Sequence, residues 1–133
     1  MNSILDVMKS RPLRYVARSL YERLWETAIT RLSTMLFRIK CLMYACSCGK
    51  GVVVYGKVVV RPSYANMDIG DYVIIVSSSW RSFSGALNHP VRLRACARDS
   101  GIVLEDTCSL NGTSITCRST SVHMGAETMI AVM

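Results

Sequence analysis

The sequence predicts a mainly β chain: a parallel β-helix of hexapeptide repeats, preceded by one long amphipathic α-helix. Two observations carry this. Aliphatic residues recur every six positions in the C-terminal half, and every three or four in the N-terminal third. Six is not a multiple of 3.6, so a six-residue repeat cannot keep one face of a helix inside, but it suits short strands joined by bends. Three such units close one triangular coil of about eighteen residues.

The helix comes first. Ser10 and Pro12 are suited to its start, as a cap and a first-turn residue. Leu13, Val16, Leu20, Leu24, Ala28, Leu32, Met35 or Leu36 and Ile39 repeat at helical spacing, and no Gly interrupts before Gly49. The expected helix covers about residues 13–46. Arg38 and Lys40 divide its most apolar part, which is too short for a membrane span. An interfacial helix lying on a membrane is one reading. Packing of its apolar face on the coil or across subunits is the other.

Gly49 and Gly51 close the helical part, giving a division into residues 1–48 and a repeat domain over 49–133. Val52-Val53-Val54 and Val58-Val59-Val60 read as two short strands around Tyr55-Gly56-Lys57, with a turn at Arg61-Pro62-Ser63. The first clear coil is expected over 69–79, opening with Ile69-Gly70-Asp71-Tyr72-Val73-Ile74 and continuing from Ile75. Residues 80–98 break the pattern and read as a loop thrown out from a bend, a place where function concentrates. The repeat resumes at Leu104, Leu110, Met124 and Ile130. Ile69 to Leu104 is 35 residues, close to two coils, and Leu104 to Met124 is 20, close to one. An ordinary sheet of short strands is the alternative.

The net charge of +7 is uneven. Residues 1–50 hold nine bases and three acids, and residues 51–133 hold seven and six. The helix therefore carries the basic character, which suits a solvated face or an acidic surface as partner. Six cysteines are scattered without a secretory leader, pointing to free thiols in a reducing cytoplasm rather than a disulfide framework. Cys46-Ser47-Cys48 lacks the spacing and the further ligands of a structural zinc site, so no metal is expected. Cys108 should lie inside as a small hydrophobe. No triad motif, phosphate-cradling glycine loop or nucleotide fingerprint is evident, and no nucleic-acid partner is expected.

Met124-Gly125-Ala126-Glu127-Thr128-Met129-Ile130-Ala131 resembles the "IGDN-x-x-IA" coil of the hexapeptide-repeat acyltransferases. Asn88-His89-Pro90-Val91-Arg92-Leu93-Arg94 and Leu110-Asn111-Gly112-Thr113-Ser114-Ile115 are similar to segments of that family's sugar and polysaccharide O-acetyltransferase branch. The resemblance covers roughly Tyr55 to Met133. It implies a left-handed β-helix, against the usual right-handed crossover. It also implies a homotrimer, acetyl-CoA as donor, and a sugar or polysaccharide precursor as acceptor.

Such a transfer needs a base to take the hydroxyl proton as the thioester carbonyl is attacked, and histidine is the usual choice. The chain has two, His89 and His123. His123 precedes an inward Met124 and should point to solvent. His89, flanked by Asn88 and Pro90, is a candidate base oriented by Asn88, or a structural loop contact. In the family the base lies one coil after the "IGDN" unit, a position beyond Met133. The expectation is therefore an N-terminal part of such an enzyme, inactive alone. Asn111 stands where the resemblance places an acceptor-binding asparagine, and its amide can donate and accept. A bend residue before Gly112 is the plainer role. The alternative function is a non-catalytic coil that docks to a membrane or partner through its basic helix.

Overall fold

The computed structural model describes residues 13–62, 66–78 and 90–131. Among these residues one helix, α1 (Leu13–Met43), is followed by eleven short strands. They are β1 (Ser47–Cys48), β2 (Val53–Tyr55), β3 (Val59–Pro62), β4 (Asn66–Ile69), β5 (Ile74–Val76), β6 (Arg92–Ala95), β7 (Gly101–Leu104), β8 (Ser109–Asn111), β9 (Ser114–Cys117), β10 (Ser121–Met124) and β11 (Met129–Ala131).

Successive strands visit three sheets in strict rotation. The first sheet has order β1-β4-β7-β10, the second β2-β5-β8-β11 and the third β3-β6-β9. All recorded pairings are parallel. The chain is thus a three-sided stack of coils. Its rungs are aliphatic: Ile69, Leu104 and Met124 are in register in the first sheet. Ile75, Leu110 and Ile130 are in register in the second. Val60, Leu93 and Ile115 are in register in the third. These side chains are buried except Ile130, which is partly covered. Cys108 is buried, as its place in the repeat implied.

Several local expectations need correction. Ile69 pairs directly with Leu104, so the 35-residue interval is one coil and not two. The extra residues lie between β5 and β6. The excursion is shorter than 80–98, because β6 occupies Arg92–Ala95 inside that range. Arg61 and Pro62 belong to β3 rather than to a turn. The first coil begins at β1, before Gly49 and well before Ile69.

At the first corner, between the first and second sheets, the chain bends through a left-handed residue in every coil. These are Gly51, Tyr72, Thr107 and Glu127, with φ from 56° to 63°. Only one of the four is glycine, so the stack imposes this conformation on ordinary side chains. Carboxylates tie the bends together. Asp71 Oδ1 accepts from the Lys50 N–H at 2.7 Å, and Asp106 Oδ1 accepts from the Asp71 N–H at 2.7 Å. Gly70 is required by proximity: a Cβ there would meet the Asp106 carboxylate at 2.5 Å and its backbone N at 2.8 Å.

The helix ends in a Schellman motif on Ala45. Cys46 N–H bonds Cys41 O at 2.8 Å, Ala45 N–H bonds Leu42 O at 3.1 Å, and Ala45 has φ 53°. The turn sets the C-terminal half of α1 against the first coil. Phe37 and Cys41 are buried there. Thr34 Oγ1 accepts from the Val54 N–H, and Lys40 Nζ donates to Val58 O. Most of the apolar stripe does not pack on the coil. With about 100° of turn per residue, Thr30, Thr34, Phe37 and Cys41 form the side that meets the coil. Leu24, Leu32, Met35, Ile39 and Met43 lie on the side turned away from the coil and are exposed. No described helix is long and apolar enough to cross a membrane. Ser10 and Pro12 lie outside the described residues.

Candidate functional site

Of the residues singled out from the sequence, Asn111 stands at the second corner, between the second and third sheets. Asn111 closes β8, and Gly112, with φ 61°, makes the bend into β9. Gly112 N–H bonds Val76 O at 3.0 Å, which binds this bend to the coil beneath. Val76 and Asn111 are in register, so the interruption between β5 and β6 leaves the coil next to Asn111. Its two ends are stitched together. Ser77 Oγ accepts from the Val91 N–H at 3.0 Å, and Ser77 N–H bonds Tyr55 O at 2.7 Å. Arg92 N–H then bonds Thr113 O at 3.0 Å. Asn88 and His89 lie outside the described residues, but Pro90, which follows them, is at this corner.

Asn111 is half-buried, and its Oδ1 is out of solvent. The carbonyl end of the amide therefore belongs to the corner, and only the remainder can meet a ligand. The residue combines the bend role with a limited capacity for acceptor contact. Beside it, Val59, Arg61, Arg92 and Arg94 on the third sheet line a cleft of about 260 Å³.

His123 is exposed, as its place before Met124 implied. It is also engaged: Nε2 lies 2.7 Å from Glu105 Oε1. Glu105 Oε2 accepts from the Ala126 N–H at 2.9 Å. That backbone bond, and then the histidine, hold the Glu105 carboxyl below its ordinary value. The pair joins two rungs of the first sheet and lies away from the second corner.

A cluster of thiols was not read from the sequence as chemistry. Cys41, Cys46 and Cys48 meet where α1 turns into β1, and all are free. A hydrogen bond from the Cys41 thiol brings Cys48 down to about 7; burial opposes this and Arg38 assists it. The same bond and burial push Cys41 up. Burial, with Asp68, pushes Cys46 up. The signal was available in the sequence only as an arginine three residues before Cys41 on a helix. No group of three or more His, Cys, Asp or Glu side chains that could hold a metal occurs among the described residues.

No protein-family model, curated protein or solved structure matches the chain.

Proposed function

We propose that the coil is the acceptor side of an acyltransferase that moves an acetyl group from acetyl-CoA to a hydroxyl of a sugar or polysaccharide precursor. On this reading the coil is left-handed and assembles as a homotrimer, both from the family resemblance. One observation carries it: the hexads that resemble the family are the residues that stack as rungs, and they bring Asn111 to the corner where the chain segment containing Asn88 and His89 begins and ends. In the reaction the acceptor oxygen attacks the thioester carbonyl and gives its proton to a base. The C–S bond breaks, and CoA leaves as the thiol. His89 is the base candidate of this chain, and Asn111 with Asn88 would steady the acceptor.

The test measures acceptor binding by ligand-observed NMR and thiol release from acetyl-CoA over a panel of sugars. Residues 1–133 should bind an acceptor and release thiol no faster than background, since a correctly placed base is worth about 10²–10⁴-fold. Asn111→Ala should weaken acceptor binding about tenfold, as expected for a lost polar contact. Turnover that His89→Ala abolishes would make His89 the base. If no sugar in the panel binds, the acyl-transfer reading fails.

A second reading is favoured by the outward face of α1: the helix lies on an anionic membrane surface. Tyr21 and Trp25 stack at 6.4 Å on the exposed part of the helix, beside the leucines and methionines named above. Arg14 and Arg18 fall within that face, with Arg31 and Glu22 at its two margins, while Glu26 falls nearer the coil side. A second copy using the same face would bring arginine against arginine, whereas anionic headgroups complement it. Each arginine near the surface would contribute about 1 kcal/mol, weakened by salt. Co-sedimentation with anionic vesicles at low salt, and not with neutral ones, is expected. Its absence leaves the outward face without a membrane role.

A further inference from the structure

We infer that the outer face of the third sheet binds a phosphoryl-bearing small molecule, with a diphosphate as the best-matched group. The inference stands on charge and register alone and is independent of the acyl-transfer reading. The outward positions of this sheet are Val59 and Arg61 on β3, Arg92 and Arg94 on β6, and Ser114 and Thr116 on β9. None is acidic. Arg61 and Arg94 are direct cross-strand partners, and Arg92 is the partner of Val59 on the same ladder. Like charges placed directly opposite on neighbouring strands repel. No carboxylate among the described residues pairs with any of the three.

The geometry suits one anion class. Arg61 and Arg94 start about 4.8 Å apart across the ladder, and Arg92 and Arg94 about 6.6 Å apart along the strand. All three line the cleft of about 260 Å³ over Val59. Guanidinium forks take phosphate oxygens two at a time. One phosphoryl group can bridge Arg61 and Arg94 while a second, linked to it, reaches Arg92. Ser114 and Thr116, on the next rung, add hydroxyl donors in register with Arg92 and Arg94. The cleft is below the roughly 300–1,000 Å³ of a site that encloses a whole drug-sized ligand. It therefore suits the phosphate groups and not the whole of a larger ligand.

The test titrates inorganic pyrophosphate, and separately inorganic phosphate, into the full chain at about 0.1 M salt, where distant charges are screened. Saturable 1:1 binding of pyrophosphate is expected, tighter than that of phosphate. Arg61→Gln, Arg92→Gln and Arg94→Gln should each weaken it about tenfold, the usual scale for one charged hydrogen bond. Arg94→Lys, which keeps the charge and loses the fork, should weaken it severalfold. Arg18→Gln, on α1, should change nothing. These side chains are exposed, and circular dichroism checks that each variant folds. Without anion, Arg94→Gln should melt no lower than the parent, because a repulsion is removed, and the rise in Tm caused by pyrophosphate should vanish. Anionic vesicles separate the sources of phosphate. Binding to vesicles that is indifferent to the three substitutions supports a soluble ligand; dependence on them, with competition by pyrophosphate, assigns the cleft to lipid headgroups. Absence of saturable pyrophosphate binding overturns the proposal, as does an equal loss in Arg18→Gln.

Discussion

Ile74 and Ile75 are chemically identical neighbours on opposite faces of β5, and they should respond very differently to truncation. Ile75 is 0% exposed and lies between Val54 and Leu110 on the second-sheet ladder. Ile75→Ala removes three carbons, worth about 2.4 kcal/mol at ~0.8 kcal/mol per buried methylene. Neighbouring rungs are held by backbone bonds on both sides, so the gap cannot close fully and a cavity penalty adds to this. A total of about 3–4 kcal/mol results, inside the usual range for large-to-alanine changes in cores. Ile74 is 42% exposed, and its loss removes part of that transfer energy plus some strand preference, about 1 kcal/mol. Chemical denaturation of both variants, with equal m-values to exclude a change in the unfolded state, gives the comparison. Equal losses, or a larger loss at Ile74, would refute the assignment of inward and outward faces.

Two further predictions follow from the turn that joins helix to coil. Ala45→Gly should raise stability by about 1 kcal/mol, because a left-handed alanine is strained where glycine is not, and a rise in Tm would show it. Cys48 should be alkylated by iodoacetamide before the other thiols, with a rate that climbs as pH rises through about 7. Its pKa is lowered, so the thiolate is the form the fold favours: it is lost as pH falls through that value. Cys41→Ala removes the hydrogen bond and should move the midpoint of the rate profile upward; an unchanged midpoint would contradict the assigned cause.

Much of the fold was legible because the coil repeats one physical problem. Most inward positions hold an apolar side chain, so Ile69, Leu104 and Met124 announce one ladder and Ile75, Leu110 and Ile130 another. The third sheet was harder to read. Arg92-Leu93-Arg94-Ala95 shows only one large apolar residue between two arginines, and in a broken hexad frame it looks like loop. Missing it made one long coil count as two. The helix was visible from its spacing, but spacing alone does not say which side meets the coil. Here the choice was made by hydrogen bonding and shape, through Thr34, Phe37 and Cys41, and the broad leucine face was left outside. Asn111 could be nominated from the sequence. The burial of its Oδ1 could not, because it depends on the stacked coil. The thiol cluster and the arginine cleft were illegible for the same reason: each joins residues from different elements.

The most direct test of the account is the pattern of nuclear Overhauser contacts within the first sheet. The stack places Asn66 beside Gly101 and Gly101 beside Ser121, with Asp68, Val103 and His123 in register further along. The predicted result is parallel cross-strand contacts linking β4 to β7 and β7 to β10. Close Hα–Hα pairs, which mark antiparallel strands, or direct contact of β4 with β10, would contradict it.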